Sequence, residues 1–122
     1  MARTIIEFKN TDKNLFEISD KWAKIHKFKT IKSSKSGRLY RKRQQIISPV
    51  QIFIPTKHKV KISQNSDVVS IECWIDSPIV GDMGISSSLG FQPLGTKIFK
   101  KTLREYLNDL LIKLNQEDKL VH

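Results

Sequence analysis

A chain of 122 residues, 39% hydrophobic and 28% charged, is long enough to bury one core and too apolar to be disordered. Its formal net charge is +10, and a single cysteine excludes an internal disulfide. No apolar run approaches the roughly 18 residues that a transmembrane helix needs, and no apolar signal-peptide stretch follows Met1, so we expect a cytoplasmic protein without a transmembrane segment.

Residues 3–9 alternate, with Thr4, Ile6 and Phe8 on one face, and predict a half-buried strand. Asn10, Thr11 and Asp12 are helix-cap candidates. Leu15, Ile18, Trp22 and Ile25 then recur at helical spacing, widened by Phe16 and Ala23, over roughly 12–26. Early acids and late bases suit the helix dipole. From Phe28 the period changes to two. Residues 28–32 and 38–43 read as strands joined by a small polar turn, and 44–48 is ambiguous. Pro49 and Pro55 bracket a further strand and should stop it at both ends. Residues 57–62 alternate again, and 64–67 turn the chain.

The organising stretch is 68–96. Val69, Ile71, Cys73 and Ile75 should face the core, with Ser70, Glu72, Trp74 and Asp76 on the other side. Four of the five glycines follow between 81 and 95 and predict a loop. After it, Phe99, Leu103, Tyr106, Leu107, Leu110, Leu111 and Leu114 form a wide helical stripe that Thr96 can start and Asn115 can end. The tail, 116–122, should fray. The fold expected is α+β, a mainly antiparallel β-meander of 5–6 strands covered by an N-terminal helix and a long C-terminal amphipathic helix, in one domain over 1–122.

The positive charge is concentrated. Residues 21–66 hold thirteen Lys or Arg and no acid, while the flanking segments are slightly negative. Such a field draws nucleic acid or an acidic protein. Against it stands codon bias. Lysine outnumbers arginine seventeen to five and isoleucine occurs sixteen times, a pattern that AT-rich coding writes on any surface.

Other chemistry finds little support. His26, His58, His122 and Cys73 lack metal-ligand spacing and read as surface histidines and a core cysteine. Ser86, Ser87 and Ser88 lack the second glycine of a nucleophile elbow. Glu72 and Asp76 lie roughly 13 Å apart along a strand, too far for a glycosidase pair. They read as solvent-facing charges or partners for the basic third. Gly90 to Lys97 fits G-x-x-x-x-G but then reverses the Lys-Ser/Thr order, with rigid Pro93 inside the loop, so a nucleotide-hydrolysing site is rejected. Lys97, Lys100, Lys101 and Arg104 crowd the start of the last helix, where cations oppose its dipole. An anion-binding patch from Gly95, Thr96, Lys97, Lys100 and Lys101 would relieve that, as would neutralisation by Asp76 and Asp82.

The segment Asp82-Met83-Gly84-Ile85-Ser86-Ser87, followed by Lys97-Ile98-Phe99-Lys100-Lys101, resembles small uncharacterised bacterial single-domain α+β proteins. These carry an acid-Met-Gly-Ile-x-Ser loop before a basic amphipathic C-terminal helix. The N-terminal strand and the Trp22 helix also look similar. The chain departs from that pattern at 76–80, which is short and not strongly apolar. The resemblance implies a free-standing small domain and no particular activity.

The function expected is therefore a non-enzymatic binding or assembly domain without a cofactor. Its lysine-rich face would engage an acidic protein surface or a nucleic acid through Lys29, Lys32, Lys35, Arg38, Tyr40, Arg41, Lys42 and Arg43, with Tyr40 as an exposed stacking platform. The alternative is a small-ligand pocket between the C-terminal helix and the sheet, closed by the glycine loop 81–95 with Trp74 or Tyr40 at its mouth.

Overall fold

Period-two alternation resolves into one antiparallel sheet, and the two helical stripes resolve into two helices. The computed structural model describes residues 3–9, 14–47, 53–77, 81–83 and 96–121, with side chains at 3–9, 14–43, 56–76 and 101–121. In chain order the elements are β1 (Thr4–Lys9), α1 (Leu15–Ile25), β2 (Lys29–Ser33), β3 (Gly37–Ile47), β4 (Phe53–Asn65), β5 (Val68–Ser77), β6 (Gly81–Met83) and α2 (Thr96–Lys113), then a single 3-10 turn at Glu117–Lys119. The chain is thus α+β, with an antiparallel sheet and two helices. No helix among the described residues is long and apolar enough to cross a membrane.

The sheet runs β1-β5-β4-β3-β2, with short β6 also on β5. Strands β2 to β5 follow one another as neighbours, and β1 is added outside β5. Because β4 occupies the other side of β5, β6 pairs Ile75–Ser77 on the edge whose remainder β1 covers from Val68 to Cys73. The glycine-rich stretch therefore begins as a strand, correcting the loop expected there. The rest of it, including Gly84, Gly90 and Gly95, lies outside the described residues.

Alternation in β5 falls as expected: Val69, Ile71, Cys73 and Ile75 are fully buried beneath the helices. They meet Val60 and Ile62 of β4, and Leu103, Leu107, Leu110 and Leu111 of α2, in one core that also holds Leu15, Trp22 and Ala23 of α1. Trp22 is fixed at both ends of its ring. Its Nε1 donates to the Tyr106 carbonyl at 3.0 Å, and the ring stacks on Phe28 at 4.9 Å between centroids. Ile25, assigned to the apolar stripe, is instead 63% exposed. The stripe is completed by Ser19, four residues after Leu15, which sequence hydropathy passes over.

Both helices end in the same way. After α1, Lys27 adopts φ 62°, Phe28 N–H donates to the Ala23 carbonyl at 2.7 Å, and Lys27 N–H donates to that of Lys24 at 3.2 Å. After α2, Asn115 adopts φ 59°, with Gln116 N–H on Leu111 and Asn115 N–H on Ile112 at 2.7 and 3.1 Å. Each is a Schellman motif with a non-glycine residue in the left-handed position. Asn115 ends α2 as its sequence position suggests.

Three further expectations change. Strand β4 runs unbroken through Pro55, which pairs opposite Gln45 of β3. Pairing between β4 and β5 starts only at Lys57 and Asp76. At Pro55, β4 has one strand neighbour among the described residues, and a proline that cannot donate is tolerated on such an edge. The ambiguous segment after Arg43 continues β3 to Ile47 because it pairs with that same part of β4. The tail is held as far as Val121, the last described residue. The Asn108 side chain donates to the Val121 carbonyl and accepts from its N–H, both at 2.8 Å, and Leu120 and Val121 pack on the core.

Candidate nucleic-acid interface

Register across the sheet decides which cations meet. One face lies beneath the helices; the other is open. On the open face, Lys29, Arg41, Lys59 and Trp74 form one cross-strand row. The next row holds Arg43, Lys57 and Asp76, and the row on the other side holds Lys32, Leu39, Lys61 and Glu72. Like charges directly opposite each other, such as Lys29 with Arg41 and Arg43 with Lys57, repel and weaken a sheet. Of the acids on this face, Glu7 lies opposite Ser70 at the β1 side and enters no ion pair among the described residues, whereas the two nearest the cations are engaged. Glu72 pairs with Arg3 at 3.1 Å and Asp76 with Lys59 at 3.1 Å. So Asp76 does serve the basic third. Among the described residues, Lys29, Lys32, Arg41, Arg43, Lys57 and Lys61 enter no ion pair.

Trp74 is the floor of this face, not a platform. Only 5% of it is exposed, with the Arg3 guanidinium 3.9 Å above its ring. Beside it a groove of about 660 Å³ is lined by Arg3, Lys32, Leu39, Lys61 and Trp74, with Ser33, Ser34, Ser36 and Ser63 around its rim. Gly37 also lines it, and a Cβ there would lie 3.3 Å from the Ile62 carbonyl oxygen. A second cleft, of about 460 Å³, is lined by Lys27, Lys29, Arg41, Lys42 and Arg43.

The sequence-predicted residues divide into two groups. Lys29, Lys32, Arg41 and Arg43 stand on the open face, and exposed Lys35 lies in the turn before β3. Arg38, Tyr40 and Lys42 point to the helices instead. Arg38 bonds Asp20 at 3.2 Å and lies over the Phe16 ring. Tyr40, expected as an exposed platform, is fully buried, its hydroxyl shared between Ser19 and Asp20. Burial first, and then the Asp20 carboxylate, push its phenol above the ordinary range. Lys42 donates to the Tyr106 hydroxyl and sits 4.6 Å from the centre of its ring. The reason is parity. Residues 38, 40 and 42 share one face of β3, and 41 and 43 share the other.

Lys101 is exposed on α2, across the sheet from the open-face cations. The backbone of Thr96, Lys97 and Lys100 is helical; their side chains and Gly95 lie outside the described residues. Where side chains are described, the space between α2 and the sheet is filled by fully buried leucines. Lys57, Lys59 and Lys61, missing from the predicted set, join the face. Their alternation with Val60 and Ile62 was the available signal.

Two buried groups stay out of chemistry. Burial, then Glu72, push the Cys73 thiol up to about 12, which keeps it protonated as a core residue. His58, expected at the surface, is fully buried, and burial followed by Lys42 lowers its pKa to about 4, so it is neutral at pH 7. The chain matches no protein-family model, and no curated protein matches it in sequence.

Proposed function

We propose that this is a non-enzymatic nucleic-acid-binding domain that grips the phosphate backbone with the open face of its sheet. The observation that carries the reading is the set of six open-face cations with no ion-pair partner among the described residues. Composition favours nucleic acid over an acidic protein. Protein interfaces concentrate aromatic and apolar residues at their centre and deplete charge there, whereas nucleic-acid interfaces are polar and strongly positive. Among the described residues of this face the one central aromatic, Trp74, is covered, with Arg3 over its ring and Lys59 opposite it across the strands. With Tyr40 and Trp74 both buried, binding is through phosphates and carries little sequence preference.

Binding of a labelled oligonucleotide across a salt series tests this. If all six cations meet phosphates, the log–log slope should be about −4 for single-stranded and about −5 for duplex nucleic acid. A salt-independent complex would overturn the reading. Equal affinity for polyglutamate of matched charge would transfer the face to an acidic protein partner.

A further inference from the structure

We infer that the cationic cleft at the beginning of β2 is the seat of a terminal phosphate, so that the domain favours a nucleic-acid strand carrying a phosphorylated end. This rests on the reading above and narrows it from backbone to end group.

The cleft is unlike the rest of the face. Elsewhere cations stand in rows, roughly 6.7 Å apart along a strand and about 4.8 Å apart across strands, a spread-out track for a chain of single charges. Here five cationic residues line one concavity of about 460 Å³, and no acid lines it among the described residues. They come from three directions. Lys27 is placed by the left-handed turn that ends α1. Lys29 and Arg41 are direct cross-strand partners, and Arg43 follows on the same face of β3. Lys42 comes from the opposite face, its ammonium held by the Tyr106 hydroxyl and ring. Convergence from both faces is possible only at an edge. Pairing of β2 with β3 starts at Lys29 and Arg41, so at Lys42 and Arg43 β3 has no strand neighbour on that side among the described residues.

A backbone phosphodiester brings one charge to such a site. A terminal phosphate brings −1.5 to −2 at neutral pH and three strong acceptor oxygens. Two guanidiniums can each offer a planar fork of donors to those oxygens, and the lysines add point charge. A concave site of concentrated charge at the end of a cationic track suits a strand that ends there.

The test compares three oligonucleotides of one sequence: 5′-phosphorylated, 3′-phosphorylated and unphosphorylated, read by anisotropy from an internal label. One of the phosphorylated strands should bind about fivefold tighter or more, as charge-assisted contacts would give. In the Lys29→Gln/Arg43→Gln variant, which changes two exposed side chains, that preference should vanish. Lys61→Gln, away from the cleft, should weaken all three equally. Equal affinities in the unaltered protein, or a preference that survives in the double variant, would overturn the inference while leaving backbone binding intact. If none of the strands binds, the open-face reading has failed. The cleft is then tested alone by titrating inorganic pyrophosphate and following amide shifts of Lys29 and Arg41. Shifts there uphold the cleft as a phosphate seat; flat shifts overturn it.

Discussion

The Ser19 and Tyr40 hydroxyls meet at 2.9 Å in the core, joining the inner face of α1 to the middle of β3. Tyr40 also donates to Asp20 on the next position of the helix. One phenol thus locks the helix that covers the basic strand, which explains why an aromatic residue flanked by cations points inward. Tyr40→Phe should cost about 1–2 kcal/mol, because it leaves buried polar groups short of a partner. A double-mutant cycle with Ser19→Ala, followed by urea unfolding, should show the two losses to be non-additive. Additive losses would dissolve the proposed link.

Lys27 occupies a left-handed position that glycine takes without steric cost. Lys27→Gly should raise stability by about 0.5–1 kcal/mol, and Asn115→Gly by less, since asparagine tolerates that conformation better. Thermal or urea unfolding of the two variants side by side checks the order.

His58 makes stability depend on pH in a window of its own. Its folded pKa, about 4, lies below the unfolded value of 6.5. Between those values the unfolded chain takes up a proton that the folded protein refuses. The contribution is therefore intact above pH 6.5, falls with pH through the window, and amounts to about 3 kcal/mol lost once pH is below 4. Unfolding free energies measured from pH 7.5 to 4 should show this slope, and His58→Leu should flatten it. An unchanged slope in that variant would assign the acid sensitivity to other groups.

Neighbouring lysines on β4 should contribute unequally to binding. Lys59 is paired with Asp76, whereas Lys61 has no ion-pair partner among the described residues. Lys61→Gln should reduce the steepness of the salt dependence by about 0.7–0.9, the share of one phosphate contact. Lys59→Gln should reduce it less, since its charge is already partly compensated. Equal effects would mean that the Lys59–Asp76 pair opens on binding.

Arg3 covers Trp74 at 3.9 Å while bonding Glu72. Arg3→Ala should uncover the indole, seen as a red shift of one tryptophan's emission, with a stability loss of about 1 kcal/mol from the lost cation–π and ion-pair contacts. Trp22, buried in the core, provides the unchanged reference signal.

Features that depend on near neighbours were legible in the chain alone. Alternation placed Thr4, Ile6 and Phe8, and Val69 through Ile75, on their buried faces, because side-chain direction in a strand reverses at every residue. Leucines at helical spacing located α2, and Asn115 its end. The acid-free stretch 21–66 was equally visible. Which charges meet was settled by long-range pairing. Parity along β3 sends Arg38, Tyr40 and Lys42 to the helices and Arg41 and Arg43 to the open face, but the core side is set by pairing with Val60 and Ile62. The run of β4 through Pro55 depended on β5 starting its pairing two residues later. The burial of His58 depended on a partner strand and a helix far away in the chain. Local periodicity carries no information about cross-strand register, and the candidate site is made of register: cations from β2, β3 and β4 become one face only when those strands align.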